Sequence, residues 1–160
     1  MRKPLLLVDT NVWMCNYVPM RVGHAEAREF LRMAWERHAQ LVYPAPILKD
    51  VFYLLGLEYK RQVRAEKGTL TQTDAATINE LAWGCVQNMR EVATAVGVDD
   101  SDLWLACKYK ALSADLEDNV VLAAAQRCKA DHLVTFDEAL IRKAPISAML
   151  PKDMTALLGM

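Results

Sequence analysis

Three short apolar runs punctuate the chain: "LLLV" over 5–8, "QLVY" over 40–43 and "HLVT" over 132–135. A continuous, bounded run of this length predicts a strand covered on both faces. Elsewhere apolar residues recur at intervals of three and four, which predicts helices over 25–38, 47–64, 77–95, 102–112 and 118–129. Thr71, Thr73 and Asp74 offer caps for the third of these, and "DDSD" from Asp99 to Asp102 offers a Ser or Asp cap for the fourth. Strands alternating with helices predict an α/β fold around a mostly parallel sheet, where functional groups gather at the strands' carboxyl ends.

Four acids interrupt this pattern. Asp9 closes the first run, and Asp137 comes two residues after Thr135, just past the third. In the helix over 47–64, Ile47, Val51, Leu54, Leu55 and Glu58 make one stripe, and the spacing of Asp50 from Ile47 and Leu54 turns it toward the core. Asp118 precedes Val121, Leu122 and Ala125 at helical spacing and so also faces inward. A carboxylate withdrawn from water without a partner costs several kcal/mol, and neighbouring carboxylates repel one another. A divalent cation is the natural counter-charge, and an all-oxygen ligand set favours Mg²⁺ or Mn²⁺ over Zn²⁺. His24, His38 and His132 are scattered without metal-ligand spacing. Each acid but one has a local alternative. Asp9 with Thr10 and Asn11 could cap a helix starting near Val12, Asp137 could cap a turn before Glu138, and Asp118 could sit at a helix start for the dipole. Asp50, inside an apolar stripe, has no such excuse.

Composition narrows the picture. The chain's 160 residues, 53% of them hydrophobic, suffice for a single domain with its own core. Nineteen Lys and Arg against 20 Asp and Glu leave a formal charge of −1, so no global positive field draws in nucleic acid. Cys15, Cys85, Cys107 and Cys128 form no C-x-x-C pair and read as small buried hydrophobes of a reduced protein. The amino-terminal apolar run is too short for a signal core or a membrane span, which points to the cytoplasm.

The stretches "LLLVDTNVW", "PAPILKDVFYLL" and "DLEDNVVLAAAQRCKADHLVTFD" resemble the PIN domain family. The resemblance covers nearly the whole chain, with 66–114 matching only in being helical. It implies a three-layer α/β fold, a central mostly parallel sheet flanked by helices. It further implies a metal-dependent nuclease whose acids are Asp9, Asp50, Asp118 and Asp137. Asp50 stands where the family usually has Glu, and its shorter arm would shift a metal or require a bridging water. Glu117, adjoining Asp118, is expected at the rim, while Asn11 and Thr135 resemble the family's acid-orienting polar residues. Turn and strand-end hydrogen bonding is the alternative role for the latter two. Small PIN proteins of this length include toxins of type II toxin–antitoxin pairs, VapC-like ribonucleases. The expected partners are therefore an RNA substrate, a small antitoxin and a second copy in a homodimer.

Two stretches bear on recognition. Lys60, Arg61, Arg64 and Lys67 could meet RNA phosphates, as could Lys108 and Lys110 beside Tyr109, although such runs are more often solvated helix faces. Leu81, Trp83, Val86, Met89, Val92, Trp104 and Leu105 are expected to be core, with a partner surface as the alternative. Phosphotransferases with a nucleophilic Asp need a second Asp two residues on, where this chain has Asn11. A catalytically inactive PIN scaffold that binds protein or RNA is the remaining rival, and it usually lacks acids that are all present here.

Overall fold

The structure, a computed structural model, describes residues 2–160. Five strands, β1 (Leu5–Val8), β2 (Gln40–Pro44), β3 (Thr94–Val96), β4 (His132–Val134) and β5 (Ala148–Met149), form one sheet in the order β3-β2-β1-β4-β5. Every pairing is parallel, sharpening the expectation of a mostly parallel sheet. The central position of β1 explains its unbroken apolar sequence, since Leu6, Leu7 and Val8 have no exposure at all. Register then aligns the strand ends. Leu7 lies opposite Val42 and Leu133, and Val8 opposite Val134, so the residues that follow emerge side by side.

Eight helices flank the sheet: α1 (Thr10–Tyr17), α2 (His24–Glu36), α3 (Ala45–Lys67), α4 (Gln72–Val92), α5 (Asp100–Lys108), α6 (Leu116–Arg127), α7 (Glu138–Lys143) and α8 (Pro151–Gly159). They pack in two groups. α1 rests on α2 and α3, α3 runs along α4, and α2 along α8, whereas α5 pairs with α6. Together with the sheet they make the expected three-layer α/β fold. Trp13, fully buried, donates its indole N–H to the Val8 carbonyl at 3.2 Å and meets Tyr43 edge-on, pinning α1 beneath the end of β1.

Local chemistry sets the boundaries. Thr71 and Asp74 form a reciprocal capping box at the start of α4, and Asp99 and Asp102 form another at α5. Thus α4 begins at Gln72 rather than 77, and its expected end at 95 has become the edge strand β3. The helix expected over 102–112 stops at Lys108 and continues as a 3-10 turn, Tyr109–Ala111. α3 opens on Pro46 and closes at Gly68, whose φ of 75° suits a left-handed cap.

Four expectations about burial need correcting. Leu54 is exposed, because the buried line of α3 is Ile47, Val51 and Leu55, and a residue 100° away around the helix leaves it. Asp50 accordingly flanks that line and is half-buried rather than pointing into the core. Leu81, Trp83 and Trp104 are exposed, while Val86 and Met89 are core and Val92 and Leu105 half-buried. Cys107 is exposed, unlike Cys15 and Cys85, and all four thiols are free.

Candidate active site

Because all strands are parallel, the expected acids can only meet at the sheet's carboxyl edge. Asp9 leaves β1 there, its own N–H still bonded to the Val134 carbonyl at 3.0 Å, which sets it abreast of Thr135. It is buried, and its carboxylate accepts from the Thr10 backbone N–H at 2.7 Å and from the Thr135 hydroxyl at 2.8 Å. Thr135, itself buried, accepts in return from the Asn11 amide at 3.1 Å and the Asp137 N–H at 3.0 Å. One hydroxyl thereby spends its proton on Asp9 and its lone pairs on the neighbours of both strand ends. Asn11 closes the ring by accepting from the Phe136 N–H at 3.0 Å. Its role and that of Thr135 are thus hydrogen bonding at the strand ends, and through it Asp9 is held.

Asp118 arrives from the other side. Asp115 caps α6 by accepting from the N–H groups of Glu117 and Asp118, which places both acids in the first turn. Ser113 donates to Asp118 at 3.2 Å, and buried Asn119 ties down the Ser113 carbonyl at 2.9 Å. Glu117 is exposed at the rim, where the Thr10 hydroxyl donates to it at 3.3 Å. Asp137 caps α7 through the Leu140 N–H at 3.0 Å. Asp9 and Asp137 thus act as local caps, and Asp118 is a helix-start acid in the first turn of α6.

Electrostatics shows that the acids feel one another. Burial, reinforced by the charges of Asp118 and Glu117 and only partly offset by the Thr135 and Thr10 bonds, pushes the Asp9 carboxyl up to about 6. Burial also raises Glu117, helped by the charge of Asp50, and raises Asp118, helped by Asp115 and Asp137 and opposed by the Ser113 bond and Lys143. Among the described residues no Lys or Arg lies within ion-pair distance of Asp9, Glu117, Asp118 or Asp137, while Asp50 has Lys49 at 3.6 Å. Hard oxygen donors in surplus charge, of which only Asp50 is paired with a cation of the chain, suit a divalent ion. Among the described residues, however, no three such groups stand close enough to cage an ion as they are placed, so a bound ion would have to draw the carboxylates together. Sequence reasoning missed Thr10, Ser113, Asp115, Asn119 and Lys143. Only Asp115, two residues before Glu117 at a helix start, carried a readable capping signal.

The loop carrying Asp137 is packed from behind. Gly23 caps α2 with φ of 92°, and a Cβ there would lie 2.8 Å from the ring of Phe136. Only glycine lets α2 start this close to the residue between Thr135 and Asp137. Of the two basic runs, Arg61 pairs with Glu58 and Lys67 with Asp74, as solvated helix faces do, and Lys108 lies over the Trp104 ring at 5.1 Å.

A five-stranded parallel sheet flanked by helices, with acids at its carboxyl edge, places the chain among the three-layer α/β domains. A family model described as the PIN domain matches residues 6–139, and the chain belongs to that family. PIN domains are generally nucleases. Three solved structures are similar in fold. VapBC2 from Rickettsia felis, solved bound to a DNA fragment from its promoter, has a TM-score of 0.65 at 8% identity, over 91% of this chain and 98% of that one. PAE2754 from Pyrobaculum aerophilum gives 0.61 at 15% identity over 99% and 98%. FitAB bound to the IR36 DNA fragment gives 0.61 at 13% identity over 92% and 95%. No curated protein matched the chain.

Proposed function

We propose that the chain is a divalent-metal-dependent endoribonuclease, the toxin of a type II toxin–antitoxin pair, working with Mg²⁺ or Mn²⁺. What supports this reading is the surplus of carboxylate around Asp9, whose carboxyl is raised by burial and by the charges of Asp118 and Glu117, while among the described residues no Lys or Arg pairs with Asp9, Glu117, Asp118 or Asp137. Asp9, Asp118 and Asp137 are the ligands, direct or through water, and Asp50 is a ligand or the group that orients the attacking water. When bound, the ion polarises the phosphodiester and stabilises the leaving oxygen. The protein's own contribution is placement. Thr135 and Asn11 fix the Asp9 carboxylate, and Asp115, Ser113 and Asn119 fix the turn presenting Asp118.

The toxin role is supported by the family and by the likeness to VapBC2 and FitAB, and it brings with it a small antitoxin and a homodimer. One observation favours a second reading, an inactive PIN scaffold, namely that no three acids are ready to cage an ion among the described residues. Titrating Mn²⁺ against melting temperature separates the two. A true site gives a rise of about 2.7 kcal/mol in stability at an ion concentration a hundred times the Kd. Structured RNA incubated with Mn²⁺ is then expected to be cut, and chelator to stop the cutting. No thermal shift and no cleavage would leave only the scaffold.

A further inference from the structure

An open pocket of about 330 Å³ adjoins the acids on the α5–α6 side. Pro44, Pro46, Val98, Leu103, Leu116 and Val120 contribute to its wall, and Asp50 and Glu117 stand at one edge. Those two carboxylates belong to the acidic cup as well, so pocket and cup share a border. We propose that this pocket holds one unpaired nucleobase beside the phosphate on which the acids act. The inference rests on the nuclease reading and assigns this pocket a part in it.

Three observations lead there. First, the wall offers no cation, and its only charged groups are acids, so a phosphate is repelled and the occupant must be neutral where it touches the wall. Second, the wall is hydrocarbon, with Leu103 and Leu116 left 48% and 61% exposed, large apolar groups that a flat ring would cover. Third, the pocket begins where β2 ends, at Pro44, one strand away from Asp9. In a polynucleotide the neutral, apolar-faced part next to each phosphate is the base. A base can enter only after leaving its stack, which excludes the interior of a duplex. The apolar wall meets the face of the base, and the Asp50 and Glu117 carboxylates at its edge are the only side-chain acceptors there. Selection therefore runs by face area, purine over pyrimidine, and leaves the surrounding sequence free.

The test uses the full chain, the double variant Leu103→Ser with Leu116→Ser, and a labelled single-stranded oligoribonucleotide in Mn²⁺. Both leucines face water, so the variant is expected to keep its melting temperature and its Mn²⁺-induced shift. Its KM should rise about tenfold with kcat within twofold. Moving one abasic residue stepwise through the oligonucleotide should, at one position only, weaken wild-type binding about tenfold, read by anisotropy with Ca²⁺ in place of Mn²⁺. At that position the variant should lose nothing further. A variant with unchanged KM, or an abasic effect equal in both proteins, overturns the pocket assignment while cleavage itself stands. A variant that keeps its KM for RNA but loses antitoxin binding makes the pocket a protein-docking surface and overturns it equally. If wild type shows neither a Mn²⁺ shift nor cleavage of any RNA, the nuclease reading has failed, and the inference falls with it.

Discussion

Two groups of acids lie on opposite ends of α6, and they are treated in opposite ways. At its far end Asp102, with a side chain only 1% exposed, is ion-paired to Arg127, which also reaches Asp99 at 2.8 Å. At its near end Asp118 and Glu117 face Asp9, Asp50 and Asp137 with no such partner. An acid that arrives with its own arginine is a clamp between helices, here α5 to α6. An acid buried among other acids stores repulsion that only something from outside relieves. Burial of charge alone does not mark a functional site; burial without a counter-charge from the chain does.

Four experiments break or sharpen that contrast. Asp9→Asn should have the largest effect, abolishing RNA cleavage while leaving the fold intact or more stable, since a repelled buried charge is removed. Cleavage assay and thermal melt on the same sample check it, and undiminished cutting would end the assignment. Arg127→Met should do the reverse. It strands the buried Asp102 and should lower the melting temperature, with no change in Mn²⁺ affinity.

The pH dependence should differ next. The folded state holds the Asp9 proton more tightly than the unfolded chain, so this group stabilises the metal-free fold at low pH. That stability is lost as pH rises from about 4 through about 6, by at most about 3 kcal/mol. Mn²⁺ should flatten the slope by displacing the proton, and Asp9→Asn should erase it. Denaturant melts between pH 4 and 7 measure both. Gly23→Ala should give the smallest effect, about 1–3 kcal/mol, from a strained φ and from pressure on Phe136. A crystal structure of the variant should show the Asp137 loop displaced.

What could be read from the sequence follows the same physics. β1, β2 and β4 were legible because strands covered on both faces must be continuously apolar, and the acids stood out as breaks in that rule. α1 was legible only as a possible cap near Val12, since Thr10, Val12, Trp13, Met14 and Cys15 are all buried and no polar face marks the helical period. β3 and β5, of three and two residues at or near the edges, are too short and too exposed to carry a pattern. The positions of Asp9, Asp118 and Asp137 were legible through strand ends and capping. The side on which Asp50 lies was not, because stripe and flank differ by a single step around the helix. Ser113, Asn119 and Lys143 act through contacts whose partners are set by tertiary packing.

The Thr135 hydroxyl ties the first strand's exit to the fourth strand's, across 126 positions of chain. A ribosome making this protein releases Asp9 long before Thr135, yet the bond that holds the Asp9 carboxylate waits for that later residue. Translation thus imposes a delay of its own: no product that stops short of Thr135 can assemble this centre.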